Sequence, residues 1–365
     1  MRILCVAGAR PNFMKIKPVL DALEARGSDT ILCHTGQHYD PLMSEVFFDE
    51  LGIRAPDHHL DVGSGTHAEQ TAGVMVAFEA LLADLRPDGV VVVGDVNSTM
   101  AAAIVAAKAG AWVAHVEAGL RSRDWSMPEE INRVVTDRVS DYLFAPSADA
   151  DANLRAEGFR SDQVHLVGNV MVDTLLANLD RARARPVLRD LGLTAGKYGL
   201  VTLHRPSNVD GASVLEGIMD GLGAVGAECE LIFPVHPRAR AAVLANGVPP
   251  GVRVVEPLGY LDFIALQADA ALVLTDSGGV QEETTVLGVP CLTLRDNTER
   301  PITVEEGTNR IVGTQPARIV QAAREVLGQS FSGRRPALWD GKAAERIADV
   351  LLDDNRRPRR PTELG

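Results

Sequence analysis

Three carboxylate positions in the first half follow short apolar runs. Asp95 comes after Val90 to Val93 and Gly94, Glu117 after His115-Val116, and Glu129 with Glu130 after Met127-Pro128. Several acids with separated proton affinities run general acid–base chemistry. Each also has a plain reading. Asp95 would suit a helix N-terminus, and Glu117 would pair with Arg121 or Arg123. Pro128 followed by two acids is ordinary first-turn chemistry. Three such sites at one strand-end face exceed what capping needs. Near them, in Gly8-Ala9-Arg10-Pro11-Asn12-Phe13-Met14-Lys15, two cations share one helix start. The helix dipole disfavours cations there, and an anion filling the site would explain them.

The second half offers binding chemistry. Leu272 to Thr275 reads as a buried strand, and Asp276-Ser277-Gly278-Gly279-Val280-Gln281-Glu282-Glu283 as a glycine-rich turn entering a helix. Unpaired N–H groups at such a helix start suit phosphate. Adjacent helical residues point about 100° apart, so one of the two glutamates faces a ligand, and ribose hydroxyls suit it. The plain reading makes Asp276 or Ser277 a cap. His204-Arg205 and His236 also end strand-like runs, where they could meet a diphosphate or protonate a leaving group. His34, His38, His115 and His165 read as structural or polar loop residues, with His38 the exception. We read no metal site from the nine histidines and expect no cofactor; the turn after the first strand lacks G-x-G-x-x-G.

These residues need elements to hold them, and the chain alternates strand and helix throughout. Strands are expected at Ile3 to Ala7, Ile31 to His34, Gly89 to Val93, Trp112 to Val116, Tyr142 to Ala145 and Val164 to Val167. Between them lie helices, among them Pro11 to Arg26, Pro41 to Leu51, Ser98 to Ala109, Pro128 to Val139 and Ser147 to Gly158. Another opens on the capping box Thr66 to Glu69. The pattern restarts with strands at Tyr198 to Leu203, Leu231 to Pro234, Val252 to Val255, Ala271 to Leu274 and Cys291 to Leu294. Alternation of this kind predicts parallel sheets covered on both faces, with ligands at the strands' carboxyl ends. The expected class is α/β, two Rossmann-like domains around a central cleft. The first spans residues 1–169. The second spans 170–342, and a Pro- and Arg-rich tail at 355–365 is expected to be frayed.

Composition sets the outer limits. A length of 365 residues suits two domains, and 46% hydrophobic with 23% charged residues suits a soluble enzyme. Only 4% are aromatic, so Ala, Val, Leu and Ile must fill the cores. A net charge of −13 argues against nucleic acid as the main partner. Cys5, Cys33, Cys229 and Cys291 form no C-x-x-C pair and read as buried thiols in a reducing compartment. No run approaches the ~20 apolar residues of a membrane span, so no membrane insertion and a cytoplasmic location are expected.

Taken together, these blocks resemble the non-hydrolysing UDP-N-acetylglucosamine 2-epimerases. The resemblance rests on Gly8-Ala9-Arg10-Pro11 with Lys15, His34-Thr35-Gly36-Gln37-His38, Gly94-Asp95 with Asn97-Ser98-Thr99, and His115 to Arg121. It continues through Pro128 to Arg133, His204-Arg205, Asp276 to Glu283, Arg295 to Pro301 and Gly307 to Arg310. It implies the GT-B arrangement, in which a C-terminal helix at 343–354 rejoins the first domain, together with a homodimer and a UDP-sugar substrate. It also implies C2 epimerisation of UDP-GlcNAc to UDP-ManNAc, by anti elimination of UDP to 2-acetamidoglucal and re-addition. By the same resemblance Asp95, Glu117 and Glu129 are catalytic carboxylates, and His204 assists the departing UDP. Arg10, Lys15 and His236 line the diphosphate or uridine region, with Arg133 and Arg300 among the substrate contacts. Ser277, Gly278 and Gly279 hold phosphate, and Glu283 takes the ribose hydroxyls. Gln37, His38 and Gln70 fall where relatives bind an allosteric UDP-GlcNAc. Asn12-Phe13 and Pro206-Ser207-Asn208 depart from the commonest enterobacterial pattern. Alternatives within reach are an epimerase of a UDP-diacetamido sugar, a hydrolysing epimerase, and a GT-B glycosyltransferase. A non-enzymatic nucleotide-sugar sensor would not need the intact carboxylate set.

Overall fold

Buried β-branched runs alternate with helices to give two parallel sheets. The computed structural model describes residues 1–36, 48, 50–328 and 333–353. The chain divides into two compact units, Met1–Thr174 with Ala337–Gly365, and Leu175–Pro336.

The first unit holds β1 (Arg2–Ala7), β2 (Asp29–His34), β3 (His58–His59), β4 (Gly89–Val93), β5 (Trp112–Val116), β6 (Tyr142–Ala145) and β7 (Val164–Leu166). They pair in parallel in the order β3-β2-β1-β4-β5-β6-β7. The strand order reverses between β1 and β4, where Leu4 lies opposite Val90 and Val6 opposite Val92. Such a reversal opens a crevice at the strands' carboxyl ends. The core is aliphatic, as the low aromatic content requires. Ala101, Ala102, Ala103 and Ala106 of the helix Asn97–Lys108 cluster with Val74, Phe78 and Leu82 of the helix His67–Leu85. Small side chains let those two helices pack closely. The box at Thr66 forms as expected, with Glu69 N donating to the threonine hydroxyl at 3.2 Å and Thr66 N to the glutamate at 2.9 Å. The cap expected at Ser147 does not form; its buried hydroxyl makes no hydrogen bond.

The second unit holds β8 (Tyr198–Thr202), β9 (Glu230–Pro234), β10 (Val252–Val255), β11 (Leu272–Thr275), β12 (Cys291–Thr293) and β13 (Asn309–Ile311). Their order is β10-β9-β8-β11-β12-β13, again parallel, with the reversal between β8 and β11. One aliphatic cluster from Val201 to Val326, with Phe233 its buried aromatic, fills this unit. The sequence reading lacked β3 and β13. Both are two or three residues long and polar, and both gain strand character only by pairing with a neighbour.

The first unit reclaims the chain at Ala337, six residues before the last helix, Ala343–Leu352. Trp339 is buried and donates Nε1–H to Pro146 O at 2.8 Å. Gly168 lies at φ +92°, where a Cβ would stand 2.1 Å from Leu338 O, so only glycine fits. Buried Asp173 accepts from Ala343 N at 3.1 Å and Ala344 N at 2.7 Å, capping that helix from a distance in sequence. All four cysteines are buried and unbridged, and burial pushes the thiols of Cys5, Cys33 and Cys291 up to about 12. Among the described residues no helix is long and apolar enough to cross a membrane. The tail at 355–365 lies outside the described residues.

Candidate active site

Arg10, Lys15 and Asp95 follow the strands at the first reversal point, and His204, Ser277, Gly278 and Gly279 those at the second. In the first unit the helix Arg10–Glu24 starts without an acid. Asn12 takes the capping role. Its Oδ1 accepts from Ala9 N at 2.9 Å, and its Nδ2 donates to Val93 O at 2.9 Å, tying the β1 loop to the end of β4. Arg10 opens this helix; its side chain lies outside the described atoms. Lys15, one turn later, already has an anion from the chain itself. Its Nζ lies 2.5 Å from Glu117 Oε2, with both side chains buried. The arginines offered as partners for Glu117 go elsewhere. Arg121 pairs with Asp137 at 2.7 Å and Glu157 at 2.8 Å, and Arg123 donates to Asn153 at 3.0 Å.

Glu117 sits at φ +71°, in the left-handed region. A non-glycine residue held there costs about 1–3 kcal/mol. Its Oε1 is buried and makes no hydrogen bond. One oxygen of this carboxylate is thus pinned by Lys15 and the other is bare. Gly94 separates this group from Asp95. A Cβ on Gly94 would lie 3.1 Å from Asn12 Nδ2 and 3.2 Å from Lys15 Nζ.

The helix Pro128–Val139 supplies the remaining acid and the supports. Glu129 is half-buried in its first turn. Its neighbour Glu130 is fully engaged. It accepts from Ser122 N at 2.9 Å, Ser122 Oγ at 3.0 Å and Arg123 N at 2.9 Å, and pairs with Arg133. So one glutamate of the pair holds a loop and the other is left for a ligand. Arg133, only 2% exposed, also reaches Asp95 Oδ2 at 2.9 Å. Its observed contacts are therefore with carboxylates of its own unit. Asn132 donates to Asp95 O at 2.9 Å and to Asn97 Oδ1 at 3.2 Å, and Asn97 donates to Gln70 Oε1 at 2.8 Å. Gln70 thus joins the polar group behind Asp95. Gln37 and His38 lie outside the described residues.

In the second unit Asp276 does not cap the helix that follows it. Fully buried, it turns back to β8, 2.9 Å from His204 Nδ1, and accepts from His204 N at 3.0 Å, Arg205 N at 2.9 Å and Asn208 Nδ2 at 3.2 Å. Burial alone would raise its carboxyl; the His204 side chain and the backbone donors of His204 and Arg205 outweigh this and hold it below the usual range. His204 keeps 43% of its side chain exposed, so an oriented imidazole faces outward. His236 is exposed, its ring 6.2 Å from that of His204.

The helix Gly278–Leu287 starts at Ser277 with no side-chain cap, and Ser277 N donates to Thr275 Oγ1 at 2.9 Å. Its first amides therefore remain available to an anion. Gly278 is needed here, because a Cβ would stand 2.3 Å from Arg300 Nη1 and 2.7 Å from Glu299 Oε1; Gly279 follows it, half-buried. Arg300 is held at 2.6 Å by both Glu299 and Glu282, while Arg205 and Arg295 reach Glu299 at 3.3 Å and 2.8 Å. Three guanidiniums thus meet two buried glutamates beside the helix start. Glu283 is 4% exposed. It accepts from Tyr260 OH at 3.2 Å, and the Gln267 amide, oriented to donate, reaches its other oxygen at 3.1 Å. Burial foremost, with Glu282 nearby, pushes its carboxyl up to about 7 against the opposing hydrogen bonds. The sequence reading separated Glu282 from Glu283 correctly in one respect: Glu282 serves a neighbouring cation. It missed Asn12, Asn132, Asp137 and Glu299, each of which has at least one partner far away in sequence. Only Asn12, three residues past Ala9 at a helix start, carried a local signal.

Two parallel-sheet α/β units with a phosphate-suited helix start in one and clustered carboxylates in the other define a nucleotide-sugar class of enzyme. Comparison with known proteins specifies it. The UDP-N-acetylglucosamine 2-epimerase family pattern matches residues 21–352. The UDP-N-acetylglucosamine 2-epimerase of Methanocaldococcus jannaschii is 42% identical, over 96% of this chain and 99% of the relative. Its crystal structure, in complex with UDP-GlcNAc and UDP, aligns with a TM-score of 0.90 over 96% of this chain and 99% of that one. The UDP-2,3-diacetamido-2,3-dideoxy-D-glucuronate 2-epimerase of Pseudomonas aeruginosa is 41% identical, over 96% and 99%. This chain belongs to the UDP-N-acetylglucosamine 2-epimerase family, and it is an isomerase.

Proposed function

We propose that the chain interconverts UDP-GlcNAc and UDP-ManNAc without releasing the free sugar. The observation that carries this reading is Glu117, strained, pinned by Lys15 and presenting one bare buried oxygen. No carbonyl adjoins C2 to stabilise a carbanion, so the C2 proton must leave as the C1–O bond to UDP breaks. The electron pair of C2–H becomes the C1=C2 bond of 2-acetamidoglucal, and UDP departs with the C1–O pair. Return of UDP to C1 and of a proton to the other face of C2 completes the inversion. Asp95, Glu117 and Glu129 are the acid–base set, and His204, oriented by Asp276, assists the departing phosphate. The open amides at Gly278 and Gly279, with Ser277 and the arginines beside them, retain UDP between the two half-reactions. Glu283 is assigned to the ribose. The M. jannaschii relative's complex with UDP-GlcNAc favours that sugar. The P. aeruginosa relative favours a diacetamido uronate, whose extra carboxylate would need a further cation.

Incubation with UDP-GlcNAc in deuterated water, without an acceptor, tests this. Deuterium should enter C2 of both epimers with little free UDP. Accumulating UDP and ManNAc would mark a hydrolysing enzyme. Absence of exchange with UDP-GlcNAc but exchange with the diacetamido uronate would reassign the sugar, and exchange with neither would end the epimerase reading.

A further inference from the structure

A second layer of charge lies beneath the acid–base set. His115, fully buried at the end of β5, presents Nε2 to Gly94 O at 2.9 Å and Nδ1 to Asp137 Oδ1 at 2.6 Å. A carbonyl only accepts, so Nε2 carries the hydrogen that reaches Gly94. Asp137, also fully buried, meets three groups from other elements: the His115 ring, Gly119 N at 3.1 Å and Arg121 Nη2 at 2.7 Å. Its carboxyl thus touches the loop that bears Glu117 directly and the loop that bears Asp95 through His115. Through His115 it reaches the Gly94 carbonyl, next to Asp95. Through the Gly119 N–H it reaches the turn that forces Glu117 to φ +71°. Gly119 has no freedom to relax, since at φ +81° its Cβ position lies 2.4 Å from Ala150 O.

We infer that Asp137 and His115 form a positioning pair that fixes Asp95 and Glu117 relative to one another. Neither is in the set assigned to touch the sugar. Burial of a hydrogen-bonded pair tied to two loops is what holds a strained residue such as Glu117 in place. This inference rests on the epimerase reading of the same site.

The test is Asp137→Asn, assayed per UDP-binding site so that unfolded protein does not count. Turnover should fall about 100-fold, the scale of an ångström's misplacement of a reacting group. KM for UDP-GlcNAc and the affinity for UDP should stay within about 2-fold. The deuterium isotope effect with C2-deuterated substrate should rise, because proton removal from a displaced base becomes slower than the other steps. An unchanged isotope effect at any turnover would overturn the inference. If Asp137→Asn does not fold, His115→Gln serves instead; its amide can still donate to Gly94 O and leaves Asp137 with Arg121. It should show the same isotope-effect rise with a smaller turnover loss. In the wild-type protein the His115 Nε2–H should be a slowly exchanging proton, absent from His115→Gln, and rapid exchange would overturn the link to Gly94. Failure of the wild-type protein to exchange C2 hydrogen would refute the epimerase reading instead.

Discussion

The helices Pro128–Val139 and Gly278–Leu287 each follow a strand of a parallel sheet, yet their first turns are built in opposite ways. The first places Glu129 and Glu130 in its opening turn and spends its buried face on Asn132 and Arg133, which both hold Asp95, and on Asp137, which holds the loop at Gly119. The second opens on glycines, carries no acid in its first turn, and leaves its first amides without a side-chain cap. A helix start attracts negative charge in either case. Where the chain supplies that charge itself, the result is a rigid acid–base frame. Where it does not, the start is left for a ligand's phosphate. On the proposed reading, proton transfer and retention of the leaving group fall to separate units, each with its own packed core.

Three measurements can break or sharpen that division. The largest effect is expected from Glu117→Gln. It should lower deuterium exchange at C2 on the order of 1,000-fold, within the range of general acid–base catalysis. UDP binding, measured by calorimetry, should change less than about 2-fold. Loss of both together would dissolve the division. A smaller effect is expected from Gly278→Ala. The new methyl would meet Arg300, which two glutamates prevent from moving aside. UDP affinity should fall about 10-fold, or about 1.4 kcal/mol. Turnover at saturating substrate should hold within about 3-fold, and a larger loss would place chemistry in this unit.

The smallest effect concerns pH. Glu283 has a carboxyl raised from 4.5 to about 7 in the folded chain. The folded state therefore binds this proton more tightly than the unfolded state does. That contribution to stability is complete below about 4.5 and is lost as pH rises through about 7. Glu283→Gln should flatten the slope of melting temperature against pH over this interval. An unchanged slope would show that burial of Glu283 does not set it.

Much of this was legible in residue order. Strand–helix alternation predicts both sheets, and apolar runs leading to Asp95, His204 and Asp276 mark the places where strand order reverses. Local rules also locate the Thr66 capping box and the start at Pro128. What was not legible depends on partners far away along the chain. Lys15 looks like a spare cation until folding brings Glu117 to it, 102 residues on. Asp276 reads as a cap because it precedes a helix, yet three backbone and side-chain donors from residues 204–208 claim it instead. The short strands β3 and β13 carry no periodicity of their own.

The return of the chain to the first unit bears on the order in which the protein matures during synthesis. The second unit is one continuous segment, Leu175–Pro336, and has all its strands once that segment has left the ribosome. The first unit lacks buried Trp339, Ile347, Ala348 and Leu351, and the Arg26–Asp349 pair at 2.7 Å, until the last helix emerges. The unit made first is therefore the one finished last. The loops that carry Asp95, Glu117 and Glu129 are translated early, but the core of their unit is closed only after the whole second unit has been made.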